Sequence, residues 1–324
     1  MQNGISRRQV LRGVAQTAAA YGLSVAARSA QAAEGQPHPG LTVGISTLGF
    51  NDRTNAALAK ELAGAGFGTV QLFLTQTDSN YWKYNSRADV SSLTAARCRE
   101  IAAAYRDAGL AIHSIGVYTN LIHPDDAEIA ANLAYFEAMM EIGGHMGVRT
   151  FINEAGHYRD PKAQALSVPL EFMDSVWPRM VATGKKLGEM AAKHDAKVLL
   201  EPYFQGFLAS AKRLRLFVEE VDSPRVRVLL DPANLIELND LDEMFQQLAP
   251  LIDCLHAKDR KLHTERGVAA GKGDVDYKRF VTLAAKHTPA APLILEYVGP
   301  KDYLDARAHL LSAMRATGIP EAKR

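Results

Sequence analysis

From residue 41 to residue 317 the chain alternates short, nearly continuous apolar runs with longer stretches whose apolar positions recur every three or four residues. The first kind reads as a strand buried on both faces, the second as an amphipathic helix. Strands are predicted at 41–46, 69–74, 111–117, 148–152, 197–201, 226–231, 252–258 and 292–296. Helices are predicted at 53–65, 93–108, 125–141, 177–194, 209–221, 241–248, 277–286 and 303–317. Helix stops fall where they should, at Gly66-Phe67-Gly68 and at Gly109. A long polar and aromatic insertion, 75–90, follows the second strand, and a loop runs to Phe172 after the fourth. Eight apolar strands separated by helices imply a parallel sheet covered on its outer face. That count favours a closed (β/α)8 barrel of the α/β class over an open, doubly wound sheet. No Gly-x-Gly-x-x-Gly follows the first strand, so dinucleotide binding has no support at its usual place.

In such a barrel the active site lies at the C-terminal ends of the strands, and four of these strands end in metal-ligand chemistry. Val198 to Glu201, Val226 to Asp231 and Leu293 to Glu296 each close an apolar run with a carboxylate. In the stretch Leu251 to Asp259 the two-residue strand period puts Cys254, His256 and Lys258 on one interior face. A lone strand histidine is more often a core residue than a ligand, and the three carboxylates at matching positions shift that balance. The separations are 30 residues from Glu201 to Asp231, 25 to His256 and 40 to Glu296, as consecutive βα units require.

These motifs resemble the xylose isomerase-like TIM barrels, which include sugar isomerases and epimerases, inosose dehydratases and endonuclease IV. The resemblance rests on Leu200-Glu201-Pro202, Leu230-Asp231-Pro232-Ala233-Asn234, His256-Ala257-Lys258-Asp259, Gly271 to Asp276 and Leu295-Glu296-Tyr297. It extends over essentially all of the chain from Leu41 to about Thr317. In the ketose epimerase branch the corresponding residues bind one divalent metal, which implies Glu201, Asp231, His256 and Glu296 as ligands. Three carboxylates and an imidazole suit Mn²⁺ first, with Mg²⁺, Co²⁺ or Zn²⁺ as alternatives. The resemblance also implies that Glu201 and Glu296 lie on opposite faces of the substrate, one removing a proton and the other returning it. A metal chelating a carbonyl and its neighbouring hydroxyl would acidify the C–H between them and stabilise an enediolate. Lys258 either donates to the developing oxyanion or is paired structurally with Asp259 or another carboxylate.

Two positions depart from the family. Asn234 stands where many epimerases and endonuclease IV carry His, which counts against a multi-metal nuclease, and Gln71 stands where sugar-active relatives often carry Glu, so contacts there are expected to differ. His113 on strand three, and Glu154 and His157 after strand four, are expected at the end that lines the pocket. Asn234 joins them as a substrate hydrogen-bonding candidate. In the insertion, Tyr81, Trp82 and Tyr84 are placed to fold over the mouth, Trp82 stacking on a sugar ring, or else to pack on the barrel or on another subunit of a homo-oligomer. Gly271 to Asp276 is read as a structural loop, its glycines permitting the turn and Asp276 capping the next helix, in preference to a phosphate site.

The N-terminus carries Ser6-Arg7-Arg8-Gln9-Val10-Leu11-Arg12, a weakly apolar stretch and Ala30-Gln31-Ala32. This reads as a twin-arginine export signal over 1–32, then a linker over 33–40 and the barrel domain over 41–324. A short amphipathic helix or membrane anchor is the alternative, and the apolar stretch is shorter than the ~20 residues that span a bilayer. A periplasmic location follows from the export reading. Cleavage after Ala32 removes Arg7, Arg8, Arg12 and Arg28 and no acid, so the balance of 37 basic to 36 acidic residues turns acidic. With no basic stripe, nucleic acid is not an expected partner. Two cysteines, Cys98 and Cys254, make no disulfide framework and are expected as free buried thiols.

The sequence thus points to a metal-dependent enzyme that abstracts a proton beside a carbonyl of a small carbohydrate, an isomerase or epimerase. The runner-up is a lyase, a dehydratase or β-eliminase of a keto-sugar, keto-glycoside or inosose. A noncatalytic sugar-binding barrel is the alternative of another class.

Overall fold

The computed structural model describes residues 40–158, 169–265 and 267–322. The expected export signal, most of the linker and part of the loop after the fourth strand lie outside them. Eight parallel strands close into a barrel in chain order: β1 (Val43–Ser46), β2 (Thr69–Leu72), β3 (Ala111–Gly116), β4 (Thr150–Asn153), β5 (Lys197–Leu200), β6 (Val226–Leu230), β7 (Ile252–Ala257) and β8 (Leu293–Leu295). Closure comes from the β1–β8 pairing, with Val43 opposite Leu293. The helices between them are α1 (Asn55–Gly64), α2 (Ala95–Asp107), α3 (Asp126–Met146), α4 (Val176–Lys193), α5 (Ala211–Val221), α6 (Pro232–Leu235), α7 (Leu241–Leu248), α8 (Tyr277–His287) and α9 (Tyr303–Ala316).

Side-chain oxygens cap the helices where the sequence offers them: Thr54 for α1, Thr94 for α2, Asp125 for α3, Ser210 for α5 and Asp240 for α7. Each accepts a backbone N–H that the first helical turn leaves unpaired. Asp276 caps α8 by accepting from the Arg279 amide at 3.0 Å, as read from the sequence. Apolar side chains divide into two buried layers. The larger fills the space between strands and helices, and a smaller set with Phe73, Ile152, Leu199, Leu229, Cys254 and Ile294 belongs to the barrel interior. Cys98 and Cys254 are free and buried.

Two register shifts break the regular ladder. Val70 pairs with Ile112 and Gln71 with Ser114, so His113 is the extra residue on β3; likewise Asp253 is the extra residue on β7, between Ile252 and Cys254. A bulge turns its residue out of the alternation. Among the described residues no helix is long and apolar enough to cross a membrane.

Candidate metal centre

Four strands deliver four side chains to one point. Glu201 and Glu296 directly follow β5 and β8, Asp231 follows β6, and His256 lies within β7. The Asp-Pro pair after β6 has a local role too: Asp231 is the N-cap of α6, its carboxylate accepting from the Asn234 amide at 3.2 Å, with proline in the first turn. All four residues are buried, and their ligand atoms lie within 4.8 Å of one another. His256 Nδ1 is 3.4 Å from Glu201 Oε1, 3.4 Å from Glu296 Oε2 and 3.6 Å from Asp231 Oδ2.

The electrostatics of this group call for a cation. Three buried carboxylates face two positive candidates, His256 and Lys258. Lys258 Nζ sits 2.7 Å from Asp231 Oδ2 and 3.1 Å from Glu296 Oε2. Its pairing is therefore with two of the expected ligands and not with Asp259. Burial opposes the charge on Lys258, but the carboxylates outweigh it and raise its pKa. His256 behaves alike: burial pulls it down, Glu296 and Glu201 pull it up more, and it rises to about 10. Burial pushes Glu201 up, whereas at Asp231 the same burial is outweighed by Lys258 and His256, leaving that carboxyl below its usual range. A proton on His256 thus offsets the carboxylates where a metal would do so.

Two buried atoms at the centre, Asp231 Oδ2 and His256 Nδ1, have no aligned hydrogen-bond partner. The other imidazole nitrogen, Nε2, lies 2.7 Å from Gln71 Oε1. An amide oxygen only accepts, so Nε2 carries the hydrogen and Nδ1 is the nitrogen left to face the carboxylates. That is how a metal-ligating histidine is normally held. The donor set, oxygens with one imidazole, fits a divalent ion. Glu201 is fixed by two donors: Asn234 Nδ2 reaches Oε1 at 2.8 Å and the Tyr118 hydroxyl reaches Oε2 at 2.5 Å.

Above the centre opens a cavity of about 440 Å³. Trp82, Glu154, His157, Asn234 and Lys258 line it, as do Glu201 and Glu296. Within the aromatic insertion Trp82 packs edge-on against Phe73, ring centroids 5.2 Å apart, and borders the cavity, while Tyr81 packs on the outer core. The Tyr84 hydroxyl donates to Glu154 at 2.7 Å. Burial, with Glu201 nearby, raises the Glu154 carboxyl to about 8. His113 is a correction. It lies in the first half of β3, outside the cavity lining, with Asp253 and Lys197 as its nearest charges; these occupy the start of β7 and β5. The bulge and this position put it toward the opposite mouth of the barrel, where burial lowers its pKa to about 4.

Four residues of the site escaped the sequence reading. Gln71 was noted only as a departure and proves to hold His256. Tyr118 and Tyr297 directly follow or adjoin strand ends, at φ of 55° each, and Tyr203 follows the Glu201-Pro202 pair. Tyr297 lays its ring 4.4 Å from Lys258 Nζ. Their signal was positional, an aromatic just past a barrel strand. The loop after β7 is structural as expected: the Asp259 carboxylate accepts from the amides of Arg260, Gly271 and Val275. A Cβ at Gly273 would come within 2.4 Å of the Arg260 carbonyl oxygen.

Residues 59–316 match the family model described as xylose isomerase-like TIM barrel. No curated protein sequence matches the chain. Among solved structures, D-psicose 3-epimerase studied in the presence of D-fructose is 17% identical with a TM-score of 0.64, over 86% of this chain and 100% of that one. A probable 3-DHS dehydratase from Bacillus anthracis is 18% identical with a TM-score of 0.64, over 84% and 98%. A xylose isomerase-like TIM barrel protein from Mycobacterium smegmatis, in complex with magnesium, is 16% identical with a TM-score of 0.64, over 86% and 97%. At these identities the likeness is one of fold.

Proposed function

Because the chain belongs to the xylose isomerase-like TIM barrel family, and its β5 to β8 ends converge on one buried ligand set, we propose that it is a metal-dependent sugar isomerase or epimerase. The observation that carries the reading is His256, anchored through Nε2 by Gln71 and facing three carboxylates through Nδ1. Glu201, Asp231, His256 and Glu296 would hold one divalent ion, manganese or magnesium first, which when bound polarises a carbonyl and its neighbouring hydroxyl and makes the C–H between them acidic.

The protein's own groups do the rest. Glu201 and Glu296 follow strands three positions apart around the closed barrel and both border the cavity; on this reading, as the family resemblance implies, a sugar bound there presents one face to each. One glutamate, as the carboxylate, takes the proton from the carbon beside the carbonyl, and the other, as the protonated carboxyl, delivers one to the opposite face or to the neighbouring atom. Lys258 Nζ, kept charged by Asp231 and Glu296, is a hydrogen-bond donor for an oxygen that gains negative charge. Asn234 and His157 supply polar wall, and Trp82 supplies an apolar face of the kind sugar rings stack on. The D-psicose epimerase likeness supports this substrate class.

Glu154 favours a second reading, a lyase. A carboxyl raised to about 8 is protonated at neutral pH and borders the same cavity. It is the acid that expulsion of a hydroxyl or glycosidic oxygen needs after the shared first deprotonation, and the dehydratase likeness agrees with that outcome. The Ser6-Arg7-Arg8 and Ala30-Gln31-Ala32 motifs, read as a twin-arginine leader, support export and action in the periplasm, where oxidised sugars and glycosides are more available than sugar phosphates.

The deciding experiment is hydrogen exchange in D₂O, followed by NMR, with the manganese-loaded protein and a panel of ketoses, inososes and 3-keto-glycosides. Deuterium entering the carbon beside the carbonyl, lost on chelation and restored by metal, is the expected result. The accompanying product separates epimer from eliminated sugar. Binding without exchange or turnover across the panel would establish the noncatalytic barrel instead.

A further inference from the structure

We infer that Tyr118 and Asn234 divide the two oxygens of Glu201 between two tasks, and that Tyr118 is the positioning residue for the proton-transfer oxygen. The inference rests on the functional reading above for what Glu201 does, and on the geometry alone for which atom does it. Glu201 Oε1 is the oxygen 3.4 Å from His256 Nδ1, hence the one turned to the ligand set, and Asn234 Nδ2 holds it at 2.8 Å. Oε2 receives the Tyr118 hydroxyl at 2.5 Å. A carboxylate with a separate donor on each oxygen cannot rotate about its last bond without losing both. Its orientation is therefore set before any substrate arrives, one oxygen for the metal and one for the proton.

The way Tyr118 is held supports an assigned role. Its backbone has φ of 55°, which a bulky L residue adopts only when the surroundings impose it. Those surroundings are clamped on three sides. Asn153, the last residue of β4, accepts from the Thr119 amide through Oδ1 at 2.8 Å and donates to the Thr119 carbonyl through Nδ2 at 2.9 Å. The Asn85 amide, from the insertion after β2, donates to the Tyr118 carbonyl at 2.7 Å. The ring stacks on Phe73 with centroids 5.4 Å apart and meets Trp82 at 6.2 Å. An unfavourable backbone held by neighbours from two other βα units, ending with a hydroxyl on a proposed base, is the pattern of strain kept at a functional position.

The test compares Tyr118→Phe, which removes only the hydroxyl and keeps the packed ring, with Asn234→Ala. Binding of Mn²⁺ alone is measured by titration for wild type and both variants, and deuterium exchange into D-fructose, D-psicose and D-tagatose is measured on the loaded proteins. Asn234→Ala is expected to weaken Mn²⁺ binding at least about tenfold. Tyr118→Phe is expected to leave it within about threefold and to lower the exchange kcat by about 10- to 100-fold, with KM little changed. Weakening of Mn²⁺ binding by Tyr118→Phe as large as that by Asn234→Ala overturns the division of oxygens, as does full exchange activity in Tyr118→Phe. Should wild type exchange none of the three sugars, it is the choice of reaction that fails, and the Mn²⁺ titration alone decides the inference: about tenfold against threefold upholds it, equal losses overturn it.

Discussion

At the scale of single residues the centre depends on a residue that binds nothing itself. His256 can present Nδ1 to three carboxylates because Gln71, on β2 across the barrel, accepts from Nε2. Gln71 is fully buried, and its amide nitrogen has no aligned hydrogen-bond partner, so its place is set by the oxygen it offers to the imidazole. Gln71→Leu keeps a similar volume and removes that acceptor; the imidazole is then free to change tautomer and turn. Mn²⁺ or Mg²⁺ affinity measured by titration is expected to fall by roughly 10- to 100-fold while the circular dichroism spectrum stays as in wild type. An unchanged affinity would remove Gln71 from the centre. The four candidate ligands were legible because each stands at or beside the end of an apolar strand and strand ends in this fold aim at one place. Gln71 and Tyr118 were not legible as supports, since which neutral side chain touches which ligand depends on packing between βα units far apart in sequence. His113 was misread for a sharper reason: the bulge at that residue shifts the β3 alternation, and no strand pattern announces it.

At the scale of elements, the insertion between β2 and α2 joins two βα units over the cavity. Trp82 and Tyr81 donate their amides to the Leu74 carbonyl, Asn85 reaches Tyr118, and Tyr84 reaches Glu154 just beyond β4. The last contact carries a pH signature. The Glu154 carboxyl rises from 4.5 to about 8, chiefly through burial, so between those values the folded chain keeps a proton that the unfolded chain has released. Its contribution to stability is fully present below pH 4.5 and is lost as pH rises toward 8. Glu154→Gln keeps the neutral shape at every pH. In urea unfolding of the magnesium-loaded proteins, the variant is expected to gain on wild type between pH 5 and pH 8, by up to roughly 3 kcal/mol. An equal gap at both pH values would place Glu154 in solvent. Most element positions could be read from hydrophobic period, from helix stops such as Gly109 and from the Asp276 cap. The short α6 could not, because four residues after a strand carry no period, and the path of 75–90 could not, because its contacts to Tyr118 and Glu154 are to other units.

At the scale of the whole molecule, binding of a metal at the proposed centre would be coupled to folding. The closed barrel was legible as eight strand–helix units in order, but the consequence of bringing four of their ends together appears only when the burial of the centre is counted. Folding takes Glu201, Asp231 and Glu296 out of water, and the positive groups brought with them are Lys258 and His256. An ion that binds this set binds the native state, since the unfolded chain scatters the proposed ligands along the sequence, with Glu296 95 positions beyond Glu201. At a free concentration a hundred times its dissociation constant such an ion adds about 2.7 kcal/mol. For a domain of this size that corresponds to a rise in Tm of roughly 5 °C. Differential scanning calorimetry of chelated and manganese-loaded protein is therefore expected to give a higher Tm for the loaded form. The loaded and chelated curves should coincide for His256→Ala, in which the nitrogen ligand is gone. A metal-dependent Tm shift that survives in His256→Ala would mean that the ion binds elsewhere. Equal Tm values for chelated and loaded wild type would mean that the ion does not bind this buried set in preference to the unfolded chain, and the proposed metal centre would fall.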